Sequence, residues 1–267
     1  MSIMKFIPDT RPYWHVDAKW IFGILLTISL SCLLILSTAH TLSSKENAPR
    51  IVATIIGKSL MHNNTVDTTE ITKKIKQSGG KIHPIPFIPS ITITAADLKL
   101  TQDELSLKIF LPITNNIYDN GIEEAANEYI KSETQKEQFI KQAFFLQYST
   151  KTTHDTLMTP IIILGALSIL FSCAVIYFSA GWGRLSNIGL LLIYVSLPGI
   201  VVANILLHTG QDSASQLPNL ASEIIASTLN KSFSATAWIG VLLLVAALVG
   251  KVSQIIVHRN HKAKQNK

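Results

Sequence analysis

The chain has 267 residues, of which 48% are hydrophobic and 15% charged, with a net charge of +6 at pH 7. A soluble domain carries about 25% charged residues, so this composition lacks solvating groups unless part of the chain lies in lipid. It excludes a disordered or collagenous chain, and two cysteines exclude a disulfide-stapled scaffold.

Residues 1–17 form a basic N-terminal stretch, and the first apolar run follows at 18–42. Its length suits the ~20 residues that a bilayer core requires. It exceeds the 7–15 apolar residues of an ordinary signal peptide, so an uncleaved anchor is expected despite the small residues Ser37-Thr38-Ala39. Further spans are expected at 158–180, 185–207 and 237–257, with a tight turn at 181–184. The last span is uninterrupted only from Ala237 to Gly250, and Lys251 must snorkel for it to continue to Val257.

Orientation follows from the cations. Lys5, Arg11, Lys19, Arg184, Lys251, Arg259, Lys262, Lys264 and Lys267 flank the spans on one side, opposed there only by Asp9 and Asp17. The insert at 43–157 balances 13 basic against 13 acidic residues, so the whole positive excess lies on one face. Positive charge is retained in the cytoplasm, which places both termini there, the 115-residue insert outside, and the protein in the plasma (cytoplasmic) membrane as a multi-pass chain. The high pI therefore reflects membrane ends, and no nucleic-acid partner is expected. Trp14, Trp20, Tyr177, Trp182 and Trp238 fall where an aromatic belt would sit.

The insert reads as a mainly helical domain. Pro49 suits a first helical turn, followed by a stripe of Ile51, Ile55, Ile56 and Leu60. Asp67 with Glu70, and Thr101 with Glu104, form capping-box pairs. The first precedes Ile71 and Ile75 and stops at Gly79-Gly80; the second precedes Leu105, Leu107, Ile109 and Phe110 and is expected to end at Pro112. Two further helices carry Ile122, Ala126, Tyr129 and Ile130, then Phe139, Ile140, Ala143, Phe144 and Tyr148, the last running into the second span. Only Ile91-Thr92-Ile93-Thr94 alternates like a strand, and no partner for it is evident. The loop at 208–236 holds a short amphipathic helix with Pro218 near its start and Leu220, Ile224, Ile225 and Thr228 on one face, and a basic tail occupies 258–267. The fold class is thus an all-α integral membrane protein, four transmembrane helices with a mainly helical extracytoplasmic domain after the first.

Chemistry is sparse. Cys32 and Cys173 lie inside spans at depths differing by roughly 7 Å, which reads as two buried apolar thiols rather than a redox pair. His40, His154 and His208 sit at the outer span ends; a metal would require them to converge, and no metal or cofactor is expected. Gly57-Lys58-Ser59 lacks the first glycine of a phosphate loop. Pro198-Gly199 should kink the third span, by packing or along a substrate path, but no ionisable group lies at mid-depth. Gly199 with Ala203 and Ala246 with Gly250 are small-xxx-small pairs.

The segment Ile82-His83-Pro84-Ile85-Pro86-Phe87-Ile88-Pro89 is the most distinctive external feature, its three prolines forbidding helix and central strand. It packs on the domain, dips into headgroups, or binds a partner through Ile85, Pro86, Phe87 and Ile88. The order of parts and the segment LTQDELSLKIF resemble bacterial four-span membrane proteins with a helical external domain between the first and second spans, a resemblance that implies no activity. The topology is also similar to permease-like subunits of ABC systems in cell division or lipoprotein export, which need a coupling segment where this chain has only 181–184. Three functions stay open: a non-enzymatic anchored protein contacting an envelope or cell-surface partner, a transport component, and a membrane enzyme with a histidine site.

Overall fold

In the computed structural model, residues 13–62, 81–82, 92–94, 96–130, 132–142, 144–209 and 219–265 are described. In chain order they form α1 (Tyr13–Leu42), α2 (Ala48–His62), β1 (Lys81–Ile82), β2 (Ile93–Thr94), a 3-10 turn (Asp97–Lys99), α3 (Gln102–Asn120), α4 (Ile122–Tyr129), α5 (Glu133–Gln142), a second 3-10 segment (Phe144–Ser149), α6 (Lys151–Phe178), α7 (Gly183–Thr209) and α8 (Asn219–Gln265). Helices α1, α6, α7 and α8 are each long and apolar enough to cross a bilayer, and only 22, 11, 22 and 11% of their most apolar windows are buried inside the protein. Surfaces this apolar are stable only against lipid, so the chain is a multi-pass membrane protein.

The residues divide into two compact units: one of the described residues up to Ile35 with 161–200 and those from 232 onward, the other of 36–160 with 201–231. In the first unit α1 meets α6 through Ser29, whose hydroxyl pairs with that of Ser168 at 2.7 Å and also reaches the Leu164 carbonyl at 3.2 Å. Both serines are buried, so each satisfies the other where lipid cannot. Phe22 of α1 stacks on Phe178 of α6 with centroids 5.7 Å apart. Helix α7 meets α8 at Gly189 and Gly240, where backbone approaches backbone. Between α6 and α7 the chain reverses in four residues; Gly181 takes φ +48°, the Arg184 Nε–H donates to the Ser179 carbonyl at 3.1 Å, and Asn187 donates to the Ser179 hydroxyl at 2.8 Å.

The second unit is built on the α2–α3 pair. Helix α3 buries Leu105, Ser106, Ile109, Phe110, Ile113, Thr114, Ile117 and Tyr118, a continuous stripe at helical spacing. Its start is a capping box: the Glu104 N–H donates to the Thr101 hydroxyl at 3.3 Å and the Thr101 N–H donates to the Glu104 carboxylate at 2.8 Å. Its end differs from expectation. The helix runs through Pro112 to Asn120. Pro112 is exposed, and its ~3 kcal/mol penalty is outweighed by burying Ile113, Ile117 and Tyr118 at about 1.5–3 kcal/mol each. Helix α2 presents a shifted face: Ile56 of the expected stripe packs against the core, but the stripe is not what is most buried. Val52 and Ala53 are buried while Ile51 and Ile55 are half-buried, because small residues let the backbone approach α3. The Thr114 hydroxyl crosses that contact to donate to the Pro49 carbonyl at 2.9 Å.

Three other elements depart from the sequence reading. The strand at Ile93–Thr94 has a partner, pairing antiparallel with Lys81–Ile82. The helix after α4 does not run into α6: α5 ends at Gln142, the chain tightens into a 3-10 segment that buries Leu146, and α6 starts afresh where the Thr153 N–H donates to the Thr150 hydroxyl at 3.4 Å. The amphipathic helix at 208–236 and the fourth span are one helix, α8. Nothing between Leu220 and Ala237 breaks a helix, and Asp103 of α3 caps its beginning by accepting the Leu220 N–H at 2.9 Å.

Candidate functional site

The four residues expected to bind a partner, Ile85, Pro86, Phe87 and Ile88, lie outside the described residues, as do the Asp67–Glu70 pair, Ile71, Ile75 and Gly79-Gly80. What the structure describes is the anchorage of that segment. Its two feet are zipped together, Ile82 opposite Ile93 and Lys81 opposite Thr94. Ile93 is completely buried within the core formed by Val52, Leu105, Ile109 and Phe110. Directly after β2, Asp97 accepts the Thr94 N–H and hydroxyl, both at 2.8 Å, and pairs with Lys108 of α3 at 2.5 Å. The Lys108 ammonium, then the Thr94 N–H and hydroxyl, hold the Asp97 carboxyl down at about 2.

A carboxylate depressed in this way stabilises the fold fully above its ordinary titration range and loses that contribution as pH falls towards 2. Asp97→Ala is therefore expected to speed amide exchange at Ile93 and Thr94 about tenfold at pH 7, the effect of one charge-assisted bond of ~1.4 kcal/mol. Equal exchange rates in wild type and variant would remove the clasp from the anchorage.

A second cluster gathers where α1 ends and α6 begins. The imidazoles of His40 and His154 stack with centroids 3.9 Å apart and 28° between planes. His154 Nδ1 lies 3.0 Å from the His40 carbonyl and 3.2 Å from the Ser43 hydroxyl, which itself donates to that carbonyl at 3.0 Å. Because a carbonyl only accepts, Nδ1 is the donor in this contact. Nearby, Lys45 pairs with Asp119 at 2.7 Å. Burial, followed by the negative charges of Asp155 and Asp119, pushes the Tyr118 hydroxyl above its usual titration range. Sequence placed His40 and His154 at span ends but gave no sign that their rings meet, since 114 residues separate them. His208, the third residue of that expectation, is exposed on α7. No set of three or more metal-binding side chains is gathered among the described residues. The stacked pair brings the end of α1 against the start of α6.

The remaining candidates are packing features. Cys32 and Cys173, expected to be buried, are exposed free thiols on the outward faces of α1 and α6. Their apolar surroundings are thus lipid rather than protein. Gly57 of the Gly57-Lys58-Ser59 segment is where α2 touches Ser106 of α3. Helix α7 continues through Pro198, which faces outward, and a Cβ on Gly199 would strike the ring of buried Phe233 at 2.3 Å. The ring of Phe233 therefore packs directly on Gly199. Gly250 likewise lies under the indole of Trp182, at 2.5 Å from an added Cβ. The buried Ser29–Ser168 pair is not visible in the sequence, where two serines in separate apolar runs carry no mark of pairing.

No protein-family profile, no curated protein and no solved structure matches this chain.

Proposed function

We propose that this is a non-enzymatic, membrane-anchored interaction protein whose helical insert at 43–157 is extracytoplasmic and docks an envelope or cell-surface protein through Ile85, Pro86, Phe87 and Ile88. The observation that carries the reading is the anchorage of that segment: its feet are paired at Ile82 and Ile93, and Ile93 is fixed in the domain core. Prolines at 84, 86 and 89 restrict the chain between those feet, which lowers the entropy lost on binding. An apolar, proline-stiffened segment held at both ends is suited to recognition, and an aromatic at its centre is the residue type that dominates interface energies. The orientation rests on the cations that flank α1, α6, α7 and α8 on one side.

The four-residue link between α6 and α7 favours this reading over an ATPase-coupled permease, because it leaves no segment there for a coupling helix. Phe87→Asp is expected to lower recovery of a crosslinked partner from native membranes at least tenfold, with the full-length protein accumulating normally and exchange at Ile93 unchanged. Undiminished partner recovery would overturn the assignment to this segment.

A further inference from the structure

Helix α8 is far longer than a bilayer requires. Its 47 residues extend roughly 70 Å at 1.5 Å per residue, whereas a hydrocarbon core of ~30 Å takes about 20. Every residue from Lys251 to Arg259 is exposed. Within that stretch Val252, Ile255 and Ile256 recur at i, i+3 and i+4 and are 47, 47 and 53% exposed. Lys251 and His258, seven residues apart, stand beside that stripe, Arg259 continues it, and Lys262 and Lys264 follow in the same helix. The charge is of one sign only, with no Asp or Glu anywhere from residue 224 to residue 267.

We propose that the end of α8, from Lys251 to Lys264, is a binding site for the headgroups of anionic phospholipids, with Val252, Ile255 and Ile256 seated at the boundary of the acyl region and the cations on the phosphates. Charge complementarity selects this occupant. Zwitterionic headgroups offer no net attraction, whereas an anionic surface rewards each lysine or arginine about fivefold, and no carboxylate on the segment opposes it. The stripe keeps the helix near the membrane and the cations choose the lipid. The site is independent of the segment at 83–90 and of any partner it docks.

The test uses the full-length protein in nanodiscs of phosphatidylcholine alone or with one third phosphatidylglycerol, read by amide hydrogen exchange over residues 252–262. Exchange is expected to slow at least tenfold in the anionic discs, and the protection to disappear in 1 M salt, where the screening length falls to about 3 Å. The variant R259Q/K262Q/K264Q is expected to lose most of the protection while α1 and α6 exchange as in wild type. Should the variant fail to accumulate, the salt titration of the wild-type protein decides alone. Equal exchange in the two lipids would overturn the proposal, as would protection by inorganic phosphate in phosphatidylcholine discs, which would make the ligand a soluble anion.

Discussion

Gly57→Ala is expected to destabilise the second unit by about 2–3 kcal/mol, although alanine is the better helix former by roughly 1 kcal/mol. The added Cβ would lie 2.0 Å from the Ser106 hydroxyl oxygen, 2.3 Å from its Cβ and 3.1 Å from its Cα. The hydroxyl can rotate away, but the Cβ and Cα are fixed to α3, so the helices must part. That parting loosens Val52 and Ala53 from Leu105, Ile109 and Phe110, the centre of the unit. A Gly57→Ala/Ser106→Gly double variant removes the two shortest collisions and should recover at least 1 kcal/mol beyond additivity. Amide exchange across α2 and α3 in the full-length protein measures both effects. If Gly57→Ala left that exchange unchanged, the α2–α3 approach would be looser than described.

The second large effect lies in the first unit. A Cβ on Gly240 would come within 2.7 Å of the Gly189 carbonyl oxygen, and a Cβ on Gly189 within 2.7 Å of the Gly240 carbonyl oxygen. Both collisions are with backbone, so no side-chain rotation relieves them. Gly240→Ala and Gly189→Ala should each cost about 3 kcal/mol, and the pair less than the sum, because the first substitution already separates α7 from α8. Gly23 and Gly165 provide the comparison, since neither meets any atom within 4 Å of an added Cβ. Gly23→Ala and Gly165→Ala should be neutral or stabilising by up to ~1 kcal/mol. Unfolding in mixed micelles ranks the four, and a Gly240→Ala protein as resistant as Gly23→Ala would contradict the close helix contact.

Local signals were legible wherever the physics is local. The Thr101–Glu104 box needs only three residues of separation, and it forms as read. Pro112 shows the limit: a proline ends a helix unless distant packing outweighs it, and the packing that does so is the contact of Ile113 and Ile117 with residues from other elements. The partner of Ile93 is invisible in the sequence because a two-residue ladder at Lys81–Ile82 leaves no periodic trace. Cys32 and Cys173 face outward against expectation for a related reason: a hydropathy run fixes that a helix lies in lipid without saying which face meets another helix.

Composition and order alone determined that four segments use lipid as their solvent and that a helical insert separates the first two. Each follows from a property summed along one stretch of chain, its transfer free energy or its periodicity. Only the tertiary structure decided which residues meet: Ser29 with Ser168, His154 with the end of α1, Asp103 with the start of α8, Gly189 with Gly240. Those contacts join residues from 51 to 139 positions apart, and their energies depend on the separation of two groups in space, a quantity that no single stretch of sequence contains.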